Sequence, residues 1–186
     1  MLTKKRIFYA WLVFLFVCIL FFTINPTFIR EIFEYLSGKS LVYLYILILL
    51  LGIFRSFTLI PVTYLIILGL LFLPALPLYI IIMIGVMASC VLVYFFFEYL
   101  HIDQLLDKKY AKQVNLTKYY LSKYELPVIV FWSMSPFLPS DVICYVAGTL
   151  RINFYKFILG MFVGEGLMCA VYIFGGKYLL NIFFGL

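Results

Sequence analysis

Residues 55–77 read RSFTLIPVTYLIILGLLFLPALP, with Pro61, Gly69, Pro74 and Pro77 interrupting a segment that is otherwise almost wholly apolar. Proline removes a backbone donor and clashes with the preceding turn, and glycine weakens a helix, so one clean spanning helix is excluded here. Broken backbone at membrane depth is tolerated only where protein or a water-filled cavity satisfies its polar groups. The stretch therefore predicts a re-entrant helix–break–helix near residues 57–75. Leu78–Leu100 follows as a full span ending beside Glu98 and His101.

The same pattern returns after Leu126, where Pro127, Pro136, Pro139 and Gly148 interrupt apolar sequence with Asp141 in its middle. This predicts a second hairpin near residues 127–150, feeding a last main span from Phe154 to Phe174. The two regions share spacing as well as composition. Gly69 to Gly85 and Gly148 to Gly164 are both Gly-x15-Gly, and each leads into a long apolar run. Paired interrupted segments in corresponding halves point to the central site of a transporter. Pro61, Gly69, Pro136, Pro139 and Gly148 are the expected hairpin-breaking residues; two ordinary proline-kinked helices are the plainer alternative.

Composition sets the class. The chain has 186 residues, 67% of them hydrophobic and 12% charged, against about half apolar and a quarter charged in soluble domains. A cytosolic globular enzyme, a disordered tail and a disulfide-stapled secreted module are excluded. The net charge of +6 does not point to nucleic acid, because the lysines flank apolar spans instead of forming a basic face. Cys18, Cys90, Cys144 and Cys169 lie far apart in apolar runs, without a CxxC or a neighbouring histidine, and His101 is the only histidine. They read as small buried hydrophobes; no metal or other cofactor is expected, and with no nucleophile–base pair, no enzyme.

Outward from the first break, Leu41–Phe54 is a short apolar run ended by Arg55, and residues 27–40 are amphipathic, predicting a helix that lies in the interface. Lys4, Lys5 and Arg6 precede an apolar run over residues 7–24 without a small-x-small cleavage site, which predicts an uncleaved first span. Residues 102–125 are lysine- and tyrosine-rich, predicting a surface helix attracted to anionic headgroups. Both basic segments face the cytoplasm only after an even number of crossings, whereas the predicted spans between them number three, which leaves orientation open. The division is residues 1–54, with N-terminal spans and the interfacial helix; 55–177, with both broken regions; and 178–186, an apolar tail.

The run from Leu126-Pro127 to Phe157, with Pro136, Pro139-Ser140-Asp141, Tyr145, Ala147-Gly148 and Arg151, resembles the second signature of the DedA superfamily, also called the SNARE-associated or VTT-domain family. Arg55-Ser56, Ile60-Pro61, Gly69 and Leu71-Phe72 look like its first signature. The chain departs from the family's Arg-x-x-Pro at one position, with Ser133 where arginine would stand. The resemblance implies an all-α polytopic membrane protein with two re-entrant hairpins in an inverted repeat, plus transmembrane helices. It also implies movement of lipid between leaflets, of phospholipid or polyprenyl phosphate, in a bacterial plasma membrane.

Arg55, Asp141, Arg151 and Glu165 lie in or beside apolar sequence. A charge at the centre of a membrane helix costs about 2.5–3.5 kcal/mol on insertion scales, so each needs a partner, a wet cavity or a neutral form. Arg55, Arg151 and Tyr145 are the candidates for lipid binding, arginine because its planar fork of donors suits phosphate. Asp141 and Glu165 are the candidates for carrying a coupling proton. The competing reading is that these charges pair and brace the hairpins. The expected partners are membrane lipids with anionic headgroups, not nucleic acid, with a homo-oligomer left open. A proton- or ion-coupled solute transporter and a non-transporting factor for envelope or division assembly are the alternative functions.

Overall fold

The computed structural model describes residues 2–25, 27–38, 40–58, 60–100, 124–135 and 138–178. Among the described residues every regular element is helical: α1 (Leu2–Ile24), α2 (Phe28–Ser37), α3 (Leu41–Thr58), α4 (Val62–Phe72), α5 (Ala75–Leu100), α6 (Glu125–Met134), α7 (Ser140–Leu150) and α8 (Phe154–Ala170). The last continues through a π-helical turn over Val171–Gly175. Among the described residues three stretches, Leu41–Thr58, Ala75–Leu100 and Phe154–Tyr178, are long and apolar enough to cross a membrane. The chain is an integral membrane protein. Most of the expected lysine- and tyrosine-rich surface helix, Pro136 and most of the apolar tail lie outside the described residues.

Two helices differ in extent from their sequence expectation, for one reason each. Arg55 does not end the second apolar run: α3 continues to Thr58, with Arg55 buried inside it. A charge ends a helix's hydropathy without ending the helix, and Thr58 Oγ1 donates back to the Arg55 carbonyl at 3.1 Å. Likewise Pro77 does not interrupt α5. It stands in the first turn, where a backbone N–H has no intrahelical partner, so the span begins at Ala75. Pro127 occupies the same kind of position in α6.

Pro61 and Pro139 stand directly before the short helices α4 and α7, both in extended conformation (φ −63°, ψ 135° and φ −62°, ψ 118°). Each short helix has 11 residues, about 16 Å at 1.5 Å per residue, roughly half of a 30 Å hydrocarbon core. Gly69 and Gly148 lie within these helices and do not break them. Both are sites of close packing: a Cβ on Gly69 would strike Leu78, and one on Gly148 would strike the Tyr94 carbonyl.

The chain divides into two compact units. The Arg55 unit comprises Trp11–Ser89 and Cys169–Leu186. In it α2 packs against α3 and α4, with Phe33 fully buried and its ring 6.0 Å from that of Phe72. Arg30 and Glu34 pair at 2.7 Å on the exposed side, as the amphipathic pattern requires. Gly52 of α3 meets Gly85 of α5, where an added Cβ would lie 3.2 Å from the opposing Cα. Such small-residue contacts let membrane helices approach closely enough for dispersion to hold them.

The Glu165 unit comprises Met1–Ala10 and Cys90–Met168. Here Gly164 of α8 packs on Ser133 and Val130 of α6, so closely that a Cβ would collide with the serine hydroxyl. Asn153 caps α8, its Oδ1 accepting the Lys156 N–H at 3.1 Å, and Lys156 pairs with Glu125 at 2.8 Å. An aromatic cluster closes this end. Tyr94 stacks on Phe157 at 5.2 Å and donates its hydroxyl hydrogen to the Ile152 carbonyl at 2.6 Å.

Candidate functional site

In the Arg55 unit the polar interior follows from one face of α3 meeting one face of α5. Gly52 and Ser56 are four residues apart, as are Gly85 and Ser89, so each helix presents a glycine and a serine one turn apart. Ser89 Oγ donates to Ser56 Oγ at 2.7 Å, and both serines are wholly buried. Arg55, beside Ser56, is 1% exposed. Below it the chain turns toward Pro61, with the Ile60 N–H donating to the Arg55 carbonyl at 3.2 Å. A permanently charged guanidinium thus sits in the last turn of a membrane-spanning helix, next to a break.

In the Glu165 unit the buried charge is acidic. Asp141 is 5% exposed in the first turn of α7. Glu165 is fully buried in α8 between Gly164 and Gly166, both buried as well. The break itself is strapped from outside: the Trp132 indole donates to the Pro139 carbonyl at 3.2 Å, which also accepts the Val142 N–H. Nothing in the order of residues brings position 132 to 139.

Arg151 is separated from Asp141 by the length of α7, ten residues or about 15 Å along the axis. The two do not form a bracing pair. Arg151 instead caps the far end of α7, exposed and left-handed at φ 54° and ψ 49°, with its N–H directed at the Ala147 and Gly148 carbonyls. It is the only non-glycine residue with positive φ among those described. Tyr145, half-buried, stacks on Phe97 with ring centroids 4.7 Å apart. The structure therefore brings Asp141, Tyr145 and Glu165 into one unit's interior and boundary, puts Arg151 at its helix end, and places Arg55 in the other unit. Sequence reasoning missed Ser56 and Ser89; their shared small-xxx-small spacing with Gly52 and Gly85 was the available signal.

Among the described residues no three His, Cys, Asp or Glu side chains gather. What the arrangement offers is a fixed cation, two buried carboxylates and two proline-broken helices in an apolar protein. That defines a helical integral membrane protein with ionisable groups in its interior. The sequence profile of the VTT domain matches residues 59–178, and the chain belongs to this family, the DedA/SNARE-associated one. No curated protein and no solved structure matches it.

Ser133 now has a physical role. Its Oγ donates to the Ile129 carbonyl at 2.7 Å, and its small side chain is what Gly164 packs upon. In this chain the position belongs to the α6–α8 contact.

Proposed function

We propose that the protein moves lipid between the leaflets of a bacterial plasma membrane, with α6–α7 and the segment around α4 acting as re-entrant hairpins of an inverted repeat. The observation that carries this reading is the pair of 11-residue helices, each opened by an extended proline and each too short to cross alone. Helix breaks of this kind expose backbone groups that a polar headgroup can meet while its acyl chains stay in the bilayer. The family membership supports the same reading. Anionic lipids, phospholipid or polyprenyl phosphate, are the proposed substrates, and Arg55 and Arg151 are the proposed phosphate contacts, with Tyr145 lining the path.

Asp141 and Glu165 are proposed to carry a coupling proton. Both carboxyl groups are buried, and each can exchange a proton where the site opens to water. The guanidinium cannot take that part at any physiological pH, since it stays charged.

The test is headgroup movement of labelled phospholipid and of polyprenyl phosphate in vesicles holding the purified chain, with and without a pH gradient. Movement that depends on Asp141 and Glu165 and responds to the gradient is expected. If folded, inserted protein moves neither lipid, the solute-transporter or assembly-factor reading takes its place; proton flux that depends on an added solute separates those two.

A further inference from the structure

Cys90 of α5 and Cys144 of α7 are both fully buried in the Glu165 unit, with their sulfur atoms 3.5 Å apart. Cys144 lies one turn after Ser140, whose carbonyl is also 3.5 Å from its sulfur. Its single S–H hydrogen can serve only one of these neighbours at a time. A disulfide has its sulfurs about 2.05 Å apart, so closing this gap takes a movement of about 1.5 Å. The two residues are 54 apart in sequence, on helices that meet only through the fold.

We infer that Cys90 and Cys144 are a redox-convertible pair, whose disulfide ties the proline-initiated helix α7 to the span α5. The oxidant is a small uncharged disulfide, R–S–S–R, taken up from the lipid. One cysteine loses its proton to water and attacks a sulfur of the reagent, forming a mixed disulfide and expelling R–S⁻, which is then protonated. The second cysteine, deprotonated in turn, attacks the protein-bound sulfur and expels the second R–S⁻. Two thiols are oxidised, one reagent disulfide is reduced to two R–SH, and one protein disulfide remains.

Burial sets the condition for this chemistry. The reagent, and the water that takes up the thiol proton, must reach the sulfurs, and both are wholly buried, so a closed pair is inert. Reaction requires α7 to part from α5 far enough to admit the reagent and a little water. The pair therefore reports on α7 movement and, once oxidised, prevents it. Its effect on activity rests on the lipid-transport reading; formation of the bond does not.

The experiment treats the full chain in lipid vesicles with 4,4′-dithiodipyridine and maps disulfides by mass spectrometry. A cross-link between the peptides holding Cys90 and Cys144 is expected, with two thiopyridones released per bond and full reversal by dithiothreitol. Cys90→Ser or Cys144→Ser abolishes it, whereas Cys169→Ser leaves it. Persistent single adducts on either residue, bonds to Cys18 or Cys169 instead, or no reaction in the folded wild-type chain would overturn the inference. Lipid movement is then compared before and after cross-linking. A severalfold fall, restored by reduction, is expected. Unchanged movement in cross-linked protein removes the claim that the bond arrests α7. No movement in the reduced protein counts against lipid transport alone, because the mass spectrum judges the pair separately.

Discussion

In the Arg55 unit the helix before the break contributes a cation and a serine to the interior, and the following span answers with a serine. In the Glu165 unit the buried charges come after the break, Asp141 on the short helix and Glu165 on the long one. The backbone plans nonetheless run in parallel. Each has an extended proline, an 11-residue helix, and a glycine downstream that packs on the helix preceding the break, Gly85 on Gly52 in one and Gly164 on Ser133 in the other. The two units thus share these local features of backbone geometry and glycine contact, and differ in the sign of their buried charge.

The comparison breaks first, and with the largest effect, at the glycine contacts. Gly164→Leu is expected to prevent stable folding, because α8 has no space to yield against Ser133 and the Val130 carbonyl. Gly164→Ala should cost about 1–3 kcal/mol as an overpacked contact, and Ser133→Ala in the same chain should recover part of it; unfolding in a detergent or bicelle series measures both. If Gly85→Ala in the other unit costs nothing, the two contacts are not equivalent.

The charges sharpen the comparison next. Asp141→Asn and Glu165→Gln are expected to lower lipid movement about tenfold, a little over 1 kcal/mol in the barrier, and to flatten its dependence on pH. Arg55→Gln should lower it by a similar factor and leave the pH dependence in place. Equal pH profiles in all three variants would remove the division of labour between the units.

A smaller effect separates strain from function at the end of α7. Glycine adopts the left-handed conformation without penalty, so Arg151→Gly should raise stability by up to about 1 kcal/mol. If lipid movement falls in that more stable protein, the guanidinium acts on substrate; if it is unchanged, Arg151 is a cap. The smallest changes are expected at single hydrogen bonds. Trp132→Phe, which unstraps the Pro139 carbonyl, and Ser89→Ala, which empties the Ser56 contact, should each cost about 0.5–1.5 kcal/mol. The Ser56→Ala, Ser89→Ala double variant should be no worse than the sum of its parts.

The class of protein and the breaks at Pro61 and Pro139 are legible in sequence because they depend on local properties, whereas Gly69 and Gly148 sit inside unbroken helices. Composition rules out a water-facing surface, and proline acts on its own turn. The expected end of α3 at Arg55 failed because hydropathy registers a charge and ignores where it is buried. Pro77 misleads in the opposite way, since its effect depends on its place in the first turn. The site was only partly legible. Asp141 and Glu165 stand out as acids in apolar sequence, but the Asp141–Arg151 pair falls once α7 is a continuous helix between them. Ser56 with Ser89 left only a shared glycine–serine spacing in the sequence, whereas no periodicity connects Trp132 with Pro139 or Cys90 with Cys144.

Sidedness tests the account's central claim most directly. Together α6 and α7, of 10 and 11 residues, amount to about 31 Å of helix, enough either for one broken crossing or for a hairpin that returns to its own side. With the native cysteines replaced by serine, Tyr124→Cys and Arg151→Cys are labelled in intact cells with a membrane-impermeant maleimide. Labelling of both from the same side is the predicted result. Labelling from opposite sides would make α6–α7 a kinked span and would contradict the re-entrant architecture on which the lipid-transport proposal stands.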